Sequence, residues 1–377
     1  MKIAVLGGGP AGLYFSYLWK ARHADADVHV FEQNPADATW GFGVVFSDRA
    51  WEFLRADDPE TADDLATHME AWSDITINHA GEAICLDGIG FSAVGRLELL
   101  QLLQARAARV GVVLRFGELV TSPDQLSGFD LIVAADGLNS LVRRSFEGDF
   151  KTSISYLDNK FAWFGTTQEF DTLSQTFVRT PDGHFNAHHY RYAPGMSTFI
   201  VECDRPTWER YGFAAMSPEE TRTVCADVFL GVLGGKSLIS NKSVWRNFPW
   251  LWSDRWSFRN MVLVGDALHT AHFSIGSGTR LAIEDVVALV KALEAEPADL
   301  GRALQLYELK RRPVVEKLVA AAKSSAAWYE NFARHMELPP HEFAMSYLMR
   351  SGRIDRDRLQ KMSPKFLARY EAAQKQS

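Results

Sequence analysis

The sequence predicts an α/β chain in which a parallel sheet flanked by helices is interrupted by an antiparallel sheet and followed by a helical C-terminal segment. Three observations predict it. A glycine-rich turn at residues 7–12 lies between a short apolar run and a helical pattern. Between residues 159 and 203 the pattern changes to aromatic and β-branched runs split by turn residues. At 261–264 the apolar run of a buried strand returns, so the antiparallel part reads as an insertion.

Taken in order, Lys2–Leu6 reads as a buried strand, Pro10–Arg22 as a helix and 28–32 as the next strand. Residues 96–110 carry Leu97, Leu100, Leu103 and Ala107 at helical spacing, and 112–116 and 131–134 read as further buried parallel strands. The inserted sheet is expected from 160–167, 176–179, 184–192 and 198–203, with Pro181-Asp182-Gly183 and Pro194-Gly195 as turns. Helices are expected over 218–233 and 279–293. Helical spacing dominates the remainder, with Pro313, Pro339-Pro340 and Pro364 as breaks.

A chain of 377 residues suits one large domain or two fused ones. Its net charge of −7 argues against general nucleic-acid binding, which needs a basic surface, but leaves room for a local basic pocket. Cys85, Cys203 and Cys225 are too scattered for a disulfide framework or a metal site, and suit a reducing compartment. No stretch reaches the ~20 apolar residues of a membrane span, and residues 1–6 lack the apolar core of a leader. The expectation is a cytoplasmic protein with no membrane, nucleic-acid or metal partner; the sequence does not give the oligomeric state.

Three glycine-centred motifs carry the chemistry. In Gly7-Gly8-Gly9-Pro10-Ala11-Gly12 the glycines permit a tight turn and close approach of backbone N–H groups to a pyrophosphate at a helix N-terminus. Glu32, followed by Gln33, ends the second strand at the spacing where an acid meets a ribose diol. Strand, helix and acid together make this a Rossmann-like dinucleotide site, without choosing FAD over NAD. The second motif, Asp136-Gly137-Leu138-Asn139-Ser140-Leu141-Val142-Arg143, is on its own an ordinary turn. The third, Gly265-Asp266-Ala267-Leu268-His269, leads through Gly276-Ser277-Gly278-Thr279 into a helix whose N-terminal dipole could face an electron-rich group.

In this order and spacing the three motifs resemble the group A FAD-dependent aromatic hydroxylases, across residues 1–320. The resemblance implies a p-hydroxybenzoate-hydroxylase-like fold. Residues 1–72, 93–152 and 258–330 would form the FAD-binding domain, 73–92 and 153–257 the β-sheet substrate domain, and 331–377 a C-terminal helical segment. It also implies non-covalent FAD, NADH or NADPH as a transient co-substrate, and O2 activated at flavin C4a to hydroxylate an electron-rich ring. Glu32 would bind the adenosine ribose, Arg96 lie along the pyrophosphate, Asp136 border the cofactor and Asp266 hold the ribitol or pyrophosphate. Gly278 would lie at the isoalloxazine. Gly7, Gly9, Pro10, Ala11, Gly12, Gln33, Val44, Val45, Gly137, Gly265, Gly276 and Thr279 complete the expected cofactor contacts. Two departures fall in the flavin pocket: Phe273 stands where the family usually has Pro, and Arg280 where it usually has Asn.

A narrower resemblance rests on Gly41-Phe42-Gly43-Val44-Val45-Phe46-Ser47-Asp48 and on Trp328-Tyr329-Glu330-Asn331, Phe343, Leu348, Arg350-Ser351 and Arg353-Ile354. These are similar to monooxygenases of salicyloyl-CoA and 2-aminobenzoyl-CoA, implying a CoA-thioester substrate hydroxylated at C5. The segment 269–278, with Ala187-His188 before Tyr190, is also similar to the tryptophan-derived-indole hydroxylase of violacein biosynthesis, which keeps an indole substrate as the alternative.

Histidine is the side chain best suited to polarising a phenol or amine near neutral pH. His188 and His189 alternate on one strand, so one of them can face a pocket; His188 is preferred because the resemblance places a histidine there. His272 and His269 are the other candidates, and each of the three can equally be a hydrogen-bonded structural histidine. Phe161, Trp163, Phe164, Phe185, Tyr190 and Tyr192 could form a dry wall or simply core. Arg191, Lys242, Arg246, Arg334, Arg350 and Arg353 are candidate partners for CoA phosphates. Outside this class stand a flavin-free nicotinamide dehydrogenase and a non-enzymatic flavin-bound protein.

Overall fold

In the computed structural model, which describes residues 1–375, the first sheet has six strands in the order Ser257–Phe258, Met261–Leu263, Leu131–Ala134, Lys2–Leu6, Asp27–Glu32, Val113–Phe116. All neighbours run parallel except the hairpin at 257–263. Ile3, Val5 and Val133 are fully buried, as an apolar run with helices on both faces requires. Helix Pro10–Arg22 buries nine consecutive residues, Ala11 to Trp19, because it is wedged between the sheet and the helices Arg96–Arg109 and Gly278–Ala295. The 112–116 strand corrects an expectation: it starts at Val113, which is 41% exposed, because it is an edge strand paired on one side only.

The second sheet runs Leu238–Ser240, Thr152–Thr166, Met196–Cys203, Gly183–Ala193, Leu173–Thr180, Ile75–His79, Glu82–Leu86, with Arg246–Ser253 also pairing with the first half of Thr152–Thr166. One pair departs from the antiparallel expectation. Leu173–Thr180 lies parallel to Ile75–His79, since the latter arrives from the nucleotide-binding side of the chain. A third, three-stranded sheet joins Gly43–Ser47, Phe91–Gly95 and Glu70–Trp72. It is latched to the large sheet by Tyr190 OH donating to Gly43 O at 3.0 Å and Gly43 N donating to Thr198 Oγ1 at 2.8 Å. A Cβ at Gly43 would lie 2.6 Å from Tyr192 Cβ, so only glycine allows this approach.

Two helical expectations fail. The 218–233 helix breaks at Phe229 into Pro218–Val228 and Leu230–Leu233, the second ending on a left-handed Gly234. Pro313 does not break its helix, which runs unbroken over Leu300–Tyr329. A proline inside a helix costs about 3 kcal/mol. Here the flanking arginines hold both sides: Arg311 bonds Glu284 and Asp285, and Arg312 bonds Glu308 and Glu316. The helix thereby starts in the core of the first sheet and ends, at Trp328 and Tyr329, in an aromatic core with the second. Pro340–Met349, Arg356–Met362 and Pro364–Gln374 close over that core. The last two positions of the expected C-terminal segment lie outside the described residues.

Candidate active site

The first glycine motif is a backbone cradle. Gly7 has φ +100°, where a Cβ would lie 2.4 Å from Ala135 O, and a Cβ on Gly12 would lie 2.0 Å from Gly7 O. Gly9 then caps the helix with Pro10 in its first turn. Gly7, Gly9, Pro10 and Ala11 open onto a groove of about 920 Å³, with Glu32 and Gln33 on its rim. Glu32 Oε2 accepts from Gly8 N at 2.7 Å and Oε1 from Asn34 N at 2.9 Å, so the acid is already aimed by the loop it would serve. Gly12 itself does not reach the groove; it sets the packing of helix on strand.

Asp136 and Gly137 line the same groove. Asp136 Oδ2 accepts from Leu141 N at 2.7 Å, and burial pushes its carboxyl above the usual range. Arg143, the last residue of this motif, is a clamp: its buried guanidinium donates to Leu138 O and, at 3.0 Å, to Ala267 O of the third motif.

Gly265 lies beneath the groove, its N–H given to Asp285 Oδ2 at 3.1 Å, while Asp266 points into it. Asp266 lines both the groove and the cavity beyond it, and the surrounding protein pushes its carboxyl up despite His269 and Arg96. Arg96 faces it from across the groove; burial holds its guanidinium below its usual value, and its side chain makes no ion pair among the described residues. Next to both, the helix Gly278–Ala295 begins without a side-chain cap, leaving its first N–H groups free.

Arg96, Asp266, Gly278 and Thr279 also line a second cavity of about 470 Å³, so groove and cavity meet at these residues. Val44, Val45 and Gly276 belong to this second cavity rather than to the groove. Its walls include Phe161, Trp163, Tyr190, Phe248 and Phe273. Phe164 and Phe185 are instead core beneath the sheet, and Tyr192 packs against Gly43.

The three candidate histidines separate. His188 lines the cavity, stacked on Tyr329 at 5.1 Å and edge-on to Phe273 at 5.3 Å. Its Nδ1 lies 2.7 Å from Gln175 Nε2, and its buried Nε2 has no partner. His189 points the other way, to Thr176 Oγ1 at 2.8 Å. His272 is not in the lining; its Nδ1 accepts from Ser274 N, and burial with Arg350 nearby pushes it down to about 3. His269 is buried 2.9 Å from Asp285 Oδ2, where it ties the third motif to the following helix. Neither ring lines the cavity.

Among the cations, Arg350 and Arg353 line the cavity, joined by Arg358. The other four do not: Arg191 pairs with Glu70, Lys242 sits over the Trp40 ring, and Arg246 and Arg334 are exposed elsewhere. Sequence reasoning missed Gln175. Its signal was a polar run, Ser174-Gln175-Thr176, inside a strand that is buried throughout that run.

A family model described as "FAD binding domain" matches residues 1–322. Salicyloyl-CoA 5-hydroxylase from a Streptomyces species is 43% identical over 361 residues, covering 93% of this chain and 70% of that protein. 3-hydroxy-4-methyl-anthranilyl-[aryl-carrier protein] 5-monooxygenase from Streptosporangium sibiricum is 38% identical, covering 94% of this chain and 95% of that protein. Protodeoxyviolaceinate monooxygenase from Chromobacterium violaceum is 33% identical, covering 92% and 94%. The glycine cradle, the Arg96 cation and the uncapped helix end fit the pyrophosphate and the electron-rich ring system of FAD.

Proposed function

The chain belongs to the FAD-binding-domain family as an FAD-dependent aromatic monooxygenase, and on that premise we propose that it hydroxylates an aryl-CoA thioester, salicyloyl-CoA or 2-aminobenzoyl-CoA, at C5. NAD(P)H and O2 are its co-substrates. Bound FAD supplies the hard chemistry, activating O2 and delivering one oxygen atom to an electron-rich ring.

The chain's own residues bind, orient and keep water out. N–H groups of residues 7–11 and the Arg96 guanidinium would hold the pyrophosphate, Asp266 a ribityl hydroxyl, and the Gly278–Thr279 helix end the electron-rich edge of the flavin. The observation that carries the reading is the junction at Arg96, Asp266, Gly278 and Thr279, where the cofactor groove opens into an aromatic-walled cavity lined by His188, whose buried Nε2 has no partner among the described residues. Phe161, Trp163, Phe248 and Phe273 exclude water from the reacting ring. Arg353 and Arg358 give the same cavity cations suited to CoA phosphates. The groove lining presents backbone, acid and amide groups to FAD, which supports non-covalent binding; flavin remaining with acid-precipitated chain would sink that part.

The deciding experiment follows NADH and NADPH oxidation with salicyloyl-CoA, 2-aminobenzoyl-CoA, the free acids and tryptophan-derived indoles, with product masses. Thioester-stimulated oxidation and a product gaining one oxygen atom are expected. Stimulation by an indole alone would move the assignment to the violacein-type reaction.

A further inference from the structure

The polar wall of the substrate cavity is a chain of side chains from three elements. Tyr329, the last residue of its helix, donates its hydroxyl hydrogen to Gln175 Oε1 at 3.1 Å. The same amide presents Nε2 to His188 Nδ1 at 2.7 Å. An amide nitrogen has donors only, so Nδ1 must accept, and a neutral imidazole then carries its proton on Nε2. That Nε2 is the buried, unpartnered atom of a ring that lines the cavity.

The charged and titratable groups around His188 reinforce this state. Burial pushes the imidazole well below its usual range, and His272, Arg350 and His189 act in the same direction. Arg350 donates to Ser325 Oγ at 3.1 Å, Tyr347 O at 2.7 Å and Ser274 O at 2.9 Å, and has no carboxylate within ion-pair distance among the described residues. The Arg350 guanidinium thus brings to the cavity lining a charge without a carboxylate partner among the described residues, beside a neutral N–H donor.

We propose that Gln175 is a positioning residue that fixes His188 as an Nε2–H donor, and that this donor selects an aryl thioester carrying an ionised ring hydroxyl over one carrying a ring amine. The proposal rests on the thioester reading given above. A phenolate oxygen accepts from Nε2–H and is drawn by the Arg350 charge. A ring amine turns N–H toward N–H, and its lone pair is delocalised into the ring, so donor meets donor. The same interaction keeps the hydroxyl-bearing ring in its electron-rich form for attack at the position para to that oxygen.

Two measurements on the oxidised FAD-bound enzyme test this. Nitrogen NMR of histidine-labelled protein, with His188→Gln to assign the signal, is expected to show a neutral ring protonated at Nε2. Titration with salicyloyl-CoA and 2-aminobenzoyl-CoA, read by flavin absorbance at pH 8, is expected to favour the hydroxy compound by at least about tenfold. In Gln175→Glu the carboxylate can only accept, so the neutral ring donates Nδ1–H to it and leaves the Nε2 lone pair toward the cavity. The preference should then fall below about twofold or reverse. A purely structural role for Gln175 would instead weaken both ligands equally. A ring protonated at Nδ1 in the wild type, or an unchanged preference in Gln175→Glu, overturns the proposal. If neither thioester binds while Nε2 carries the proton, the thioester reading fails, and the selectivity with it, whereas the Gln175–His188 couple is supported.

Discussion

The two halves of the site are braced in opposite ways. Beneath the nucleotide groove the support is ionic: Asp285 is paired with Arg311 at 2.8 Å and lies 2.9 Å from His269, while Glu284 bonds Arg311 and Arg280, each at 2.6 Å. Although burial pushes the Asp285 carboxyl up, His269 and Arg311 together hold it below the usual range. Beneath the substrate cavity the support is neutral: Gln175, Tyr329 and His188 in one chain, and Glu202 held only by the amides of Asn159 and Asn186. The cofactor's pyrophosphate keeps its charge through every turnover and can rest on a fixed ionic frame. On the wall formed by Gln175, His188 and Tyr329, a neutral chain leaves the Arg350 charge to act on the ligand.

The contrast can be broken most severely at Arg311. Arg311→Met leaves Asp285 and Glu284 buried without their shared cation, and is expected to cost about 3–5 kcal/mol of unfolding free energy at pH 7. Urea unfolding reads it, and the loss should shrink as acid protonates Asp285. A cost below about 1 kcal/mol would mean that the ionic brace is decorative.

On the neutral side, His188→Ala should lower kcat for the hydroxylated thioester by about 10²-fold, because a hydrogen bond to the developing charge is lost. FAD retention should be untouched, since His188 does not line the groove. His188→Gln, which can still present an N–H, should recover most of the loss. If His188→Ala sheds FAD, the two halves are not separable.

At the junction, Asp266→Ala is expected to weaken FAD binding by about 1.5–3 kcal/mol, through loss of a charged acceptor for a cofactor hydroxyl. Asp136→Ala should do less, because one of its oxygens is already spent on Leu141 N. Flavin content after gel filtration at equal protein concentration ranks the two, and equal occupancy would refute the ranking.

The halves also differ in how far the sequence discloses them. Cofactor recognition is made by backbone, and backbone approach forces glycine: a Cβ at Gly7 or Gly12 would strike a carbonyl, so the motif must be written in the chain. The strands around it are short, apolar and sequential, and they fall within a residue or two of expectation. The cavity is made by residues brought from 43–47, 75–96, 138, 161–200, 248–280 and 347–362, and no spacing rule links such positions. Alternation on one strand did separate His188 from His189. It could not pair Gln175 with Tyr329, which lies 154 residues away. Proximity to a flavin motif likewise does not say whether a ring faces the cavity, and His269 and His272 do not line it. Pro313 misled because helix breaking is a local rule, and part of what overrides it, the Arg311 pairs with Glu284 and Asp285, comes from another helix.

The smallest expected effect gives the comparison its sign. Burial raises the Glu202 carboxyl from the usual 4.5 to about 7, and the bonds from Asn159 and Asn186 only partly oppose it. A group whose folded pKa lies above its unfolded one contributes stability below the unfolded value and loses it as pH rises through the folded value. Glu202 therefore favours the folded state below pH 4.5 and withdraws that support by about pH 7. Asp285, held low, acts in reverse: its contribution is present above the ordinary carboxylate range and is lost as pH falls. Glu202→Gln removes only the first of these. Its Nε2 can donate to Asn186 Oδ1, a buried acceptor without a partner, once that amide turns over. The variant is expected to be more stable than wild type by about 1–2 kcal/mol at pH 8, with most of the gain gone at pH 5. Urea midpoints at the two pH values check it. An equal gain at both would show that packing, not ionisation, sets the cost of Glu202, and that the neutrality of this half is incidental.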